Sequence, residues 1–592
     1  MKTILTFHLA AASVVSAVAD PQLTSWHTAD SGQYARIYQS TAAETSGTVS
    51  KTWSRGTGVQ NSPTYAGVSK IVYSTSWVYI RATGLAGHIM GPWYLDAAKT
   101  QNFPNFPSNT AKIYRIPRTP LIPATKTLTG LGATGCMVNG VSMFDARDAF
   151  SYVNASATDA TPVNGLTGDG IWNRDGYHNE GVTFDPALAH QAGNNYHYHA
   201  HPIGLRYQLG DHVNYNATTN RYTEKPGTPA SHSPIVAWAA DGLPVYGPYG
   251  YSSPLDPDRG VRRMISGYAL RNGQNGTTAI TVRQILPEWA KRVQNRTTLS
   301  TNQYGPAVNA TYLLGHYIED FDYRGDLGQT LGVDFDLNEQ NVRWCVTPEY
   351  PSGTWAYFTP INADGTPQYP YTTGRQYYGS PTGGTSTISE TVTTFFNGGP
   401  NKTETANAPT VNKATGDVTL TWNAVEGGTY LVEASTDLTT WPDLTPTVTA
   451  TDDIAAIIET GAKNIHDKRF YRVSRTTLAT FDGNGFDYTP AGGGGGSAAV
   501  APGGTVTRGS TYTLTINIPT SSTPPVPPAI VPVNSVTVGG SATGISSLVH
   551  TSQYVVTCTY AVPTMGITPG TRNVVVNIDN KIYTLTGGLT VN

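Results

Sequence analysis

Cysteine is scarce in this chain, with only Cys136, Cys345 and Cys558 among 592 residues. Three cysteines exclude a disulfide framework, and their odd number leaves at least one thiol unpaired within a monomer. Cys136 and Cys345 fall in one large region and suit a single bridge in an oxidising compartment; three buried free thiols are the alternative. The Cys-x-x-Cys spacing of a structural zinc site is missing. Methionine is also rare, six residues including Met1, which argues against thioether ligation of a soft metal. Charged residues make up 13% of the chain and the formal net charge is −3, so nothing favours nucleic acid or an anionic membrane as partner. After the first 19 residues no stretch approaches the roughly 20 continuous apolar residues that cross a bilayer. The phosphate-binding Gly-x-x-x-x-Gly-Lys-Ser/Thr loop, the Gly-x-Ser-x-Gly elbow and the His-Glu-x-x-His helix are all absent. Any chemistry must therefore come from His, Asp, Glu and Tyr.

Polarity is supplied instead by Thr, Ser, Asn and 35 tyrosines, together with 62 Gly and 40 Pro. This is the composition of short strands joined by many turns, and it predicts an all-β protein with one or two short helices. The length suggests three or four domains. Residues 1–19 have a charged start, a short apolar run and the small-x-small site Ala17-Val18-Ala19, the three parts of a secretory signal peptide. A secreted, extracellular, periplasmic or cell-surface product is expected. Residues 20–380 form the large β region, and 381–408 read as a Gly/Ser/Thr linker. Residues 409–480 carry strands at the spacing of a small sandwich resembling a fibronectin type III module. A Gly-rich joint over 481–500 contains the run Gly492–Gly496, and 501–592 suggest an immunoglobulin-like sandwich with a Pro-rich loop from Pro524 to Pro532. Neither sandwich clusters titratable groups, so spacing or adhesion is their expected role, with polysaccharide or cell-surface contact as the partner class.

The large region concentrates the histidines. Seven of the chain's 13, His178, His190, His197, His199, His201, His212 and His232, lie between Gly176 and Trp238. Within Asn194–Pro202 the order Tyr196-His197-Tyr198-His199-Ala200-His201 alternates, so a strand there would line the three imidazoles along one face and the tyrosines along the other. Imidazoles two residues apart on a strand lie roughly 6.5–7 Å apart at the backbone, close enough to converge on one metal ion. The same alternation also suits a half-buried strand whose rings hydrogen-bond to neighbours.

Asn139-Gly140 interrupts an apolar run and predicts a tight hairpin, which would present Asp145 and Asp148 beside the histidines. Asp241-Gly242 divides two apolar strands, and Asp241 is either a ligand or acid or the cap of its own turn. Ile280–Asn295 has the pattern of a helix that Pro287 kinks or restarts. The acidic residues from Glu319 to Glu339 lack the spacing of a calcium loop and read as solvated loop charge.

Tyr196–His199, the hairpin around Asn139-Gly140, Asp241–Tyr249, Arg262-Arg263-Met264, Gly267–Arg271 and Val346–Phe358 together resemble the YHYH domain family over roughly Thr24–Gly379. The family is found in secreted, mainly bacterial proteins. The resemblance implies a shared His-rich site, with His197 and His199 as its centre and His232 and Asp241 nearby; His201 is an addition beyond the four-letter motif. Tyr196, Tyr198, His178, His190 and Asp185 are candidates for supporting positions around these ligands. Neutral imidazoles suit copper or zinc. Three functions follow as expectations: transition-metal binding, a metal-dependent hydrolase or oxidase at the same cluster, and a non-enzymatic polysaccharide-binding surface protein.

Overall fold

A computed structural model describes residues 20–402, 405–444 and 446–477, and beyond these the strand segments between 496 and 591 with a few flanking residues. The segment read as a signal peptide, most of the five-glycine run and the Pro-rich loop lie outside the described residues. Among the described residues, no helix is long and apolar enough to cross a membrane.

The fold is mainly β, as the composition predicts. A mixed eight-stranded sheet is built from β1 (Ala133–Met137), β2 (Ser142–Phe144), β3 (His190–Ala192), β4 (Asn195–Tyr198), β5 (Ile235–Ala239), β6 (Pro244–Tyr246), β7 (Val342–Cys345) and β8 (Thr354–Phe358). Its spatial order is β3-β4-β2-β1-β5-β6-β8-β7, antiparallel except at β4/β2 and β6/β8. Every residue of β5, Ile-Val-Ala-Trp-Ala, is buried, which is why this interior strand shows no polar alternation. The Asn139-Gly140 turn joins β1 to β2 as expected. Gly140 has φ of 81°, and a Cβ there would lie 2.5 Å from that of Ala82, so both conformation and space demand glycine.

A second, antiparallel sheet runs in the order 384–385, Lys112–Pro117, Trp77–Ala82, Val68–Tyr73, Thr393–Asn397. Ile71, Val78, Ile80 and Ile116 from this sheet share one buried core with Met137, Met143, Trp238 and Tyr357 from the first. The stretch 381–408 is thus more than a joint: it supplies both edge strands. Its Thr-rich segments satisfy their backbone groups by pairing with strands that are already formed.

Three further expectations are decided, two of them in favour of an alternative already open. The helix begins only after Pro287, as α3 (Glu288–Gln294); proline lacks the N–H a helix interior needs but fits at its start. Most acidic residues of 319–339 are paired or buried rather than solvated, and Asp334 remains exposed. Asp320 binds Arg283, Asp326 and Glu339 bind Arg292, and Asp336 binds Arg262. All three cysteines are free and buried, and Cys136 and Cys345 form no bridge.

Residues 410–477 form two three-stranded antiparallel sheets around Leu420, Trp422, Tyr430 and Val432. They dock on the N-terminal region through Glu426, whose buried carboxylate accepts the Tyr34 N–H at 2.8 Å and pairs with Lys51, while its carbonyl accepts the Tyr65 hydroxyl at 3.0 Å. Glu426→Ala leaves the buried Tyr34 N–H unpaired, a cost of about 1–3 kcal/mol. The expected result is at least a roughly tenfold faster hydrogen exchange at the Tyr34 amide; unchanged exchange would show that Glu426 does not hold this junction.

The C-terminal unit, from Tyr488, has two four-stranded sheets whose core includes Leu514, Ile516, Val556, Val574 and Val576. Strand Gly496–Val500 pairs with Thr511–Asn517, so the unit starts inside the stretch read as its linker.

Candidate metal centre

Strands β3 and β4 form a hairpin whose two-residue turn is Gly193-Asn194, with Gly193 at φ 61°. Counting back from this turn, Ala192 pairs with Asn195, Gln191 with Tyr196 and His190 with His197. Residues directly opposite on neighbouring strands point to the same face, so the hairpin register alone places His190 beside His197. The strand ends at Tyr198, yet His199 stays on the face of His197. The Nε2 atoms of His190 and His197 are 3.1 Å apart, and those of His197 and His199 are 3.0 Å apart. All three rings are buried, and the ligand atoms lie within 4.8 Å of one another. Two nitrogens bound cis to one ion at roughly 2.0–2.1 Å are about 3 Å apart.

Each opposite nitrogen is held by an oxygen. His197 Nδ1 lies 3.0 Å from the Asn195 carbonyl and His199 Nδ1 lies 2.8 Å from the Asp145 carbonyl. Carbonyls only accept, so both Nδ1 atoms carry a proton. His190 Nδ1 is 2.7 Å from Thr183 Oγ1, whose own proton goes to the Glu180 carbonyl at 2.6 Å; His190 Nδ1 is therefore also a donor. In the neutral rings all three Nε2 lone pairs then face a common point. Such oxygen-held imidazoles are the usual support of metal-binding histidines. Phe144 stacks on His197 with centroids 3.9 Å apart, locking its ring plane.

Glu180, the last residue of α1 (Gly176–Glu180), brings Oε2 within 3.1 Å of His199 Nε2 and 3.6 Å of His190 Nε2. Burial pulls His190 down to about 4 and, with the neighbouring imidazoles, holds His197 well below the ordinary histidine value. Burial works the same way on His199, but Glu180 outweighs it and raises that ring to about 8. Burial opposes ionisation of Glu180, and His199 and His190 overcome it, leaving the carboxyl below its usual value. Without a metal, a proton is thus favoured between His199 and Glu180 and disfavoured on the other two rings.

The cluster forms part of the wall of a cavity of about 640 Å³. The Asn-Gly hairpin does deliver Asp145 and Asp148 to this place. Asp148 also lines the cavity; burial raises it to about 7 despite Arg174 at 2.9 Å. Asp175 caps α1 by accepting the His178 N–H at 2.8 Å and receives the Tyr371 hydroxyl at 2.8 Å; burial raises it to about 7.

The other sequence candidates lie apart from the three nitrogens. His201 follows the end of β4, where the chain bends into α2 (Ile203–Gln208) behind Pro202, and the alternation stops there. Its Nδ1 accepts from Arg206 at 3.2 Å, so its Nε2 carries the proton, the reverse of the clustered rings. His232 packs between Tyr246 and Tyr251, with centroids 4.9 Å away in each case, and donates Nδ1–H to the Ser233 carbonyl at 2.7 Å. Asp241 caps its turn by accepting the Leu243 N–H at 3.1 Å, and also accepts from Tyr357 and the Gly379 N–H. Burial explains why a carboxylate with so many donors is still raised. On the opposite face of β4, Tyr196 donates to Asp185 at 2.7 Å and Tyr198 meets His88 Nε2 at 2.9 Å. Both tyrosines and Asp185 therefore brace the strand from behind. His178 faces His316, with centroids 5.6 Å apart. In the sequence Glu180 is one of the acids interspersed among the histidines and carries no motif of its own. The signal for His190 was Gly193-Asn194, a dipeptide that favours two-residue hairpins.

Residues 113–374 match the family described as YHYH protein, so the chain contains a YHYH domain over that span. No curated protein matches the chain.

Proposed function

We propose that the YHYH domain binds a transition metal, copper or zinc, through Nε2 of His190, His197 and His199, with Glu180 at its edge. The observation that carries this reading is the shared tautomer. His197 Nε2 stands at the spacing of a cis ligand from both His190 and His199, and bare lone pairs so placed repel one another unless a cation sits between them. A proton on His199 answers this only in part, whereas a divalent ion answers it for all three nitrogens. Imidazole donors suit copper and zinc better than calcium or magnesium, which prefer oxygen. The protein is read as secreted, with the two C-terminal sandwiches, of fibronectin type III-like and immunoglobulin-like type, as spacer or adhesion modules.

The test is elemental analysis of the chain from Asp20, purified without a polyhistidine tag, beside the His197→Ala/His199→Ala variant. Near-stoichiometric copper or zinc in the parent, lost in the folded variant, is the expected outcome. Full retention of metal in the folded variant would overturn the assignment.

A second reading, an extracellular metal-dependent enzyme, is favoured by the cavity at the cluster. Three protein ligands leave a coordination position for water, and zinc lowers the pKa of such a water to about 7.

A further inference from the structure

The cavity at the three histidines has an unusual balance between its walls and its floor. Phe103, Leu131, Phe144, Phe150 and Val163 line it, and two of these remain open to solvent at its rim, Leu131 at 61% and Val163 at 93% exposure. Large apolar side chains this exposed around a concavity mark a surface that something covers. Two acidic groups in the wall are tied to arginines: Asp145 pairs with Arg147 at 2.8 Å and Asp148 with Arg174 at 2.9 Å. The carboxylate left to the centre is that of Glu180, 3.1 Å from His199 Nε2. Its volume of about 640 Å³ falls within the range of small-molecule sites.

Ala149, next to Asp148 in the same wall, has φ of 80°, a conformation that costs a residue with a Cβ roughly 1 kcal/mol or more. It lies between Asp148 Oδ1, which accepts the Phe150 N–H at 2.9 Å, and the Phe150 ring. This strained strand position keeps an aromatic group in the cavity wall while its neighbouring acid is tied back to Arg174.

We infer that this cavity receives a small molecule with an apolar body and one oxygen-donor head group, the head binding the metal at the three histidines and the body lying against Phe103, Leu131, Phe150 and Val163. This rests on the metal-binding reading above. It gives the centre a substrate class, aliphatic or aromatic rather than glycan, and assigns any carbohydrate contact to another surface.

The experiment uses the full mature chain loaded with zinc and two hydroxamic acids with the same metal-binding head. Acetohydroxamic acid has almost no body and octanohydroxamic acid has a long apolar one. Calorimetric titration is expected to show the longer probe binding at least tenfold tighter, because each methylene moved from water to an apolar wall adds affinity. Leu131→Asp, an exposed rim substitution, is expected to remove most of that difference. Equal affinity for both probes on zinc-loaded protein would overturn the inference while the metal site stands. Displacement of octanohydroxamic acid by cellohexaose would also overturn it and return the cavity to glycans. Parent protein that takes up no zinc before any probe is added would overturn the metal reading itself, and this inference with it.

Discussion

His190→Ala is expected to abolish stoichiometric metal binding, whereas His201→Ala is expected to leave it intact. His201 is the closer of the two to the Tyr-His segment in sequence, and the fold reverses that order. His190 stands directly across from His197 and directs Nε2 to within 3.1 Å of its partner. His201 lies past a bend and gives its Nδ1 lone pair to Arg206. Losing an outer partner of a metal ligand typically costs roughly 10–100-fold in affinity, and losing one of three ligands should cost more. Competition against a chromophoric chelator, with circular dichroism to confirm folding, measures both variants on one scale. A folded His190→Ala protein that keeps parental affinity would remove His190 from the centre. Loss of metal in His201→Ala would restore the alternating strand as the ligand set.

Arg283→Ala should be among the most destabilising single changes in the N-terminal unit, by roughly 3–5 kcal/mol, the usual consequence of breaking a buried ion pair from one side. Arg283 and Asp320 are both fully buried and joined by two bonds of 2.7 and 2.8 Å. The guanidinium also donates to the carbonyls of Pro306 and Leu313 at 3.0 and 2.8 Å. Its removal strands the Asp320 carboxylate with backbone donors alone, Gly315 N–H at 2.9 Å and Tyr317 N–H at 3.3 Å. The effect reaches the histidines through the backbone. The same loop presents the His316 carbonyl to the Asp175 N–H at 2.9 Å, and Asp175 caps the helix that carries Glu180. Denaturant unfolding measures the loss. The double variant Arg283→Met/Asp320→Leu should recover a good part of it, since an apolar replacement leaves no unpaired charge. A loss of only about 0–1 kcal/mol, as for an exposed pair, would show that the pair is not dry.

These two expectations also mark where reading the chain stops and reading the fold begins. Strands such as Val68–Tyr73 and Trp77–Ala82 are visible in their β-branched and aromatic residues, and the Asn139-Gly140 hairpin in its dipeptide, because both signals are local. Arg292 and Arg283 were unreadable as partners of the 319–339 carboxylates. Asp320 is 37 residues from Arg283, and charge alone does not say which cation meets which anion. The edge strands of 381–408 escaped for a related reason: their Thr- and Gly-rich segments become strands only when a formed sheet offers its edge.

At the site, the residues by themselves determined that any chemistry would be imidazole and carboxylate chemistry, that His197 and His199 would share a face, and that the tyrosines between them would face away. Alternation is a property of the strand backbone and needs no tertiary contact. Only the fold decided that the third nitrogen belongs to His190 rather than to His201, His232 or Asp241, and that Glu180 adjoins them. That choice depends on which strand pairs across from His197 and where β4 ends. Both are set by a turn at Gly193-Asn194 and a bend before Pro202, since side chains far apart along the chain converge only once the backbone between them has been placed.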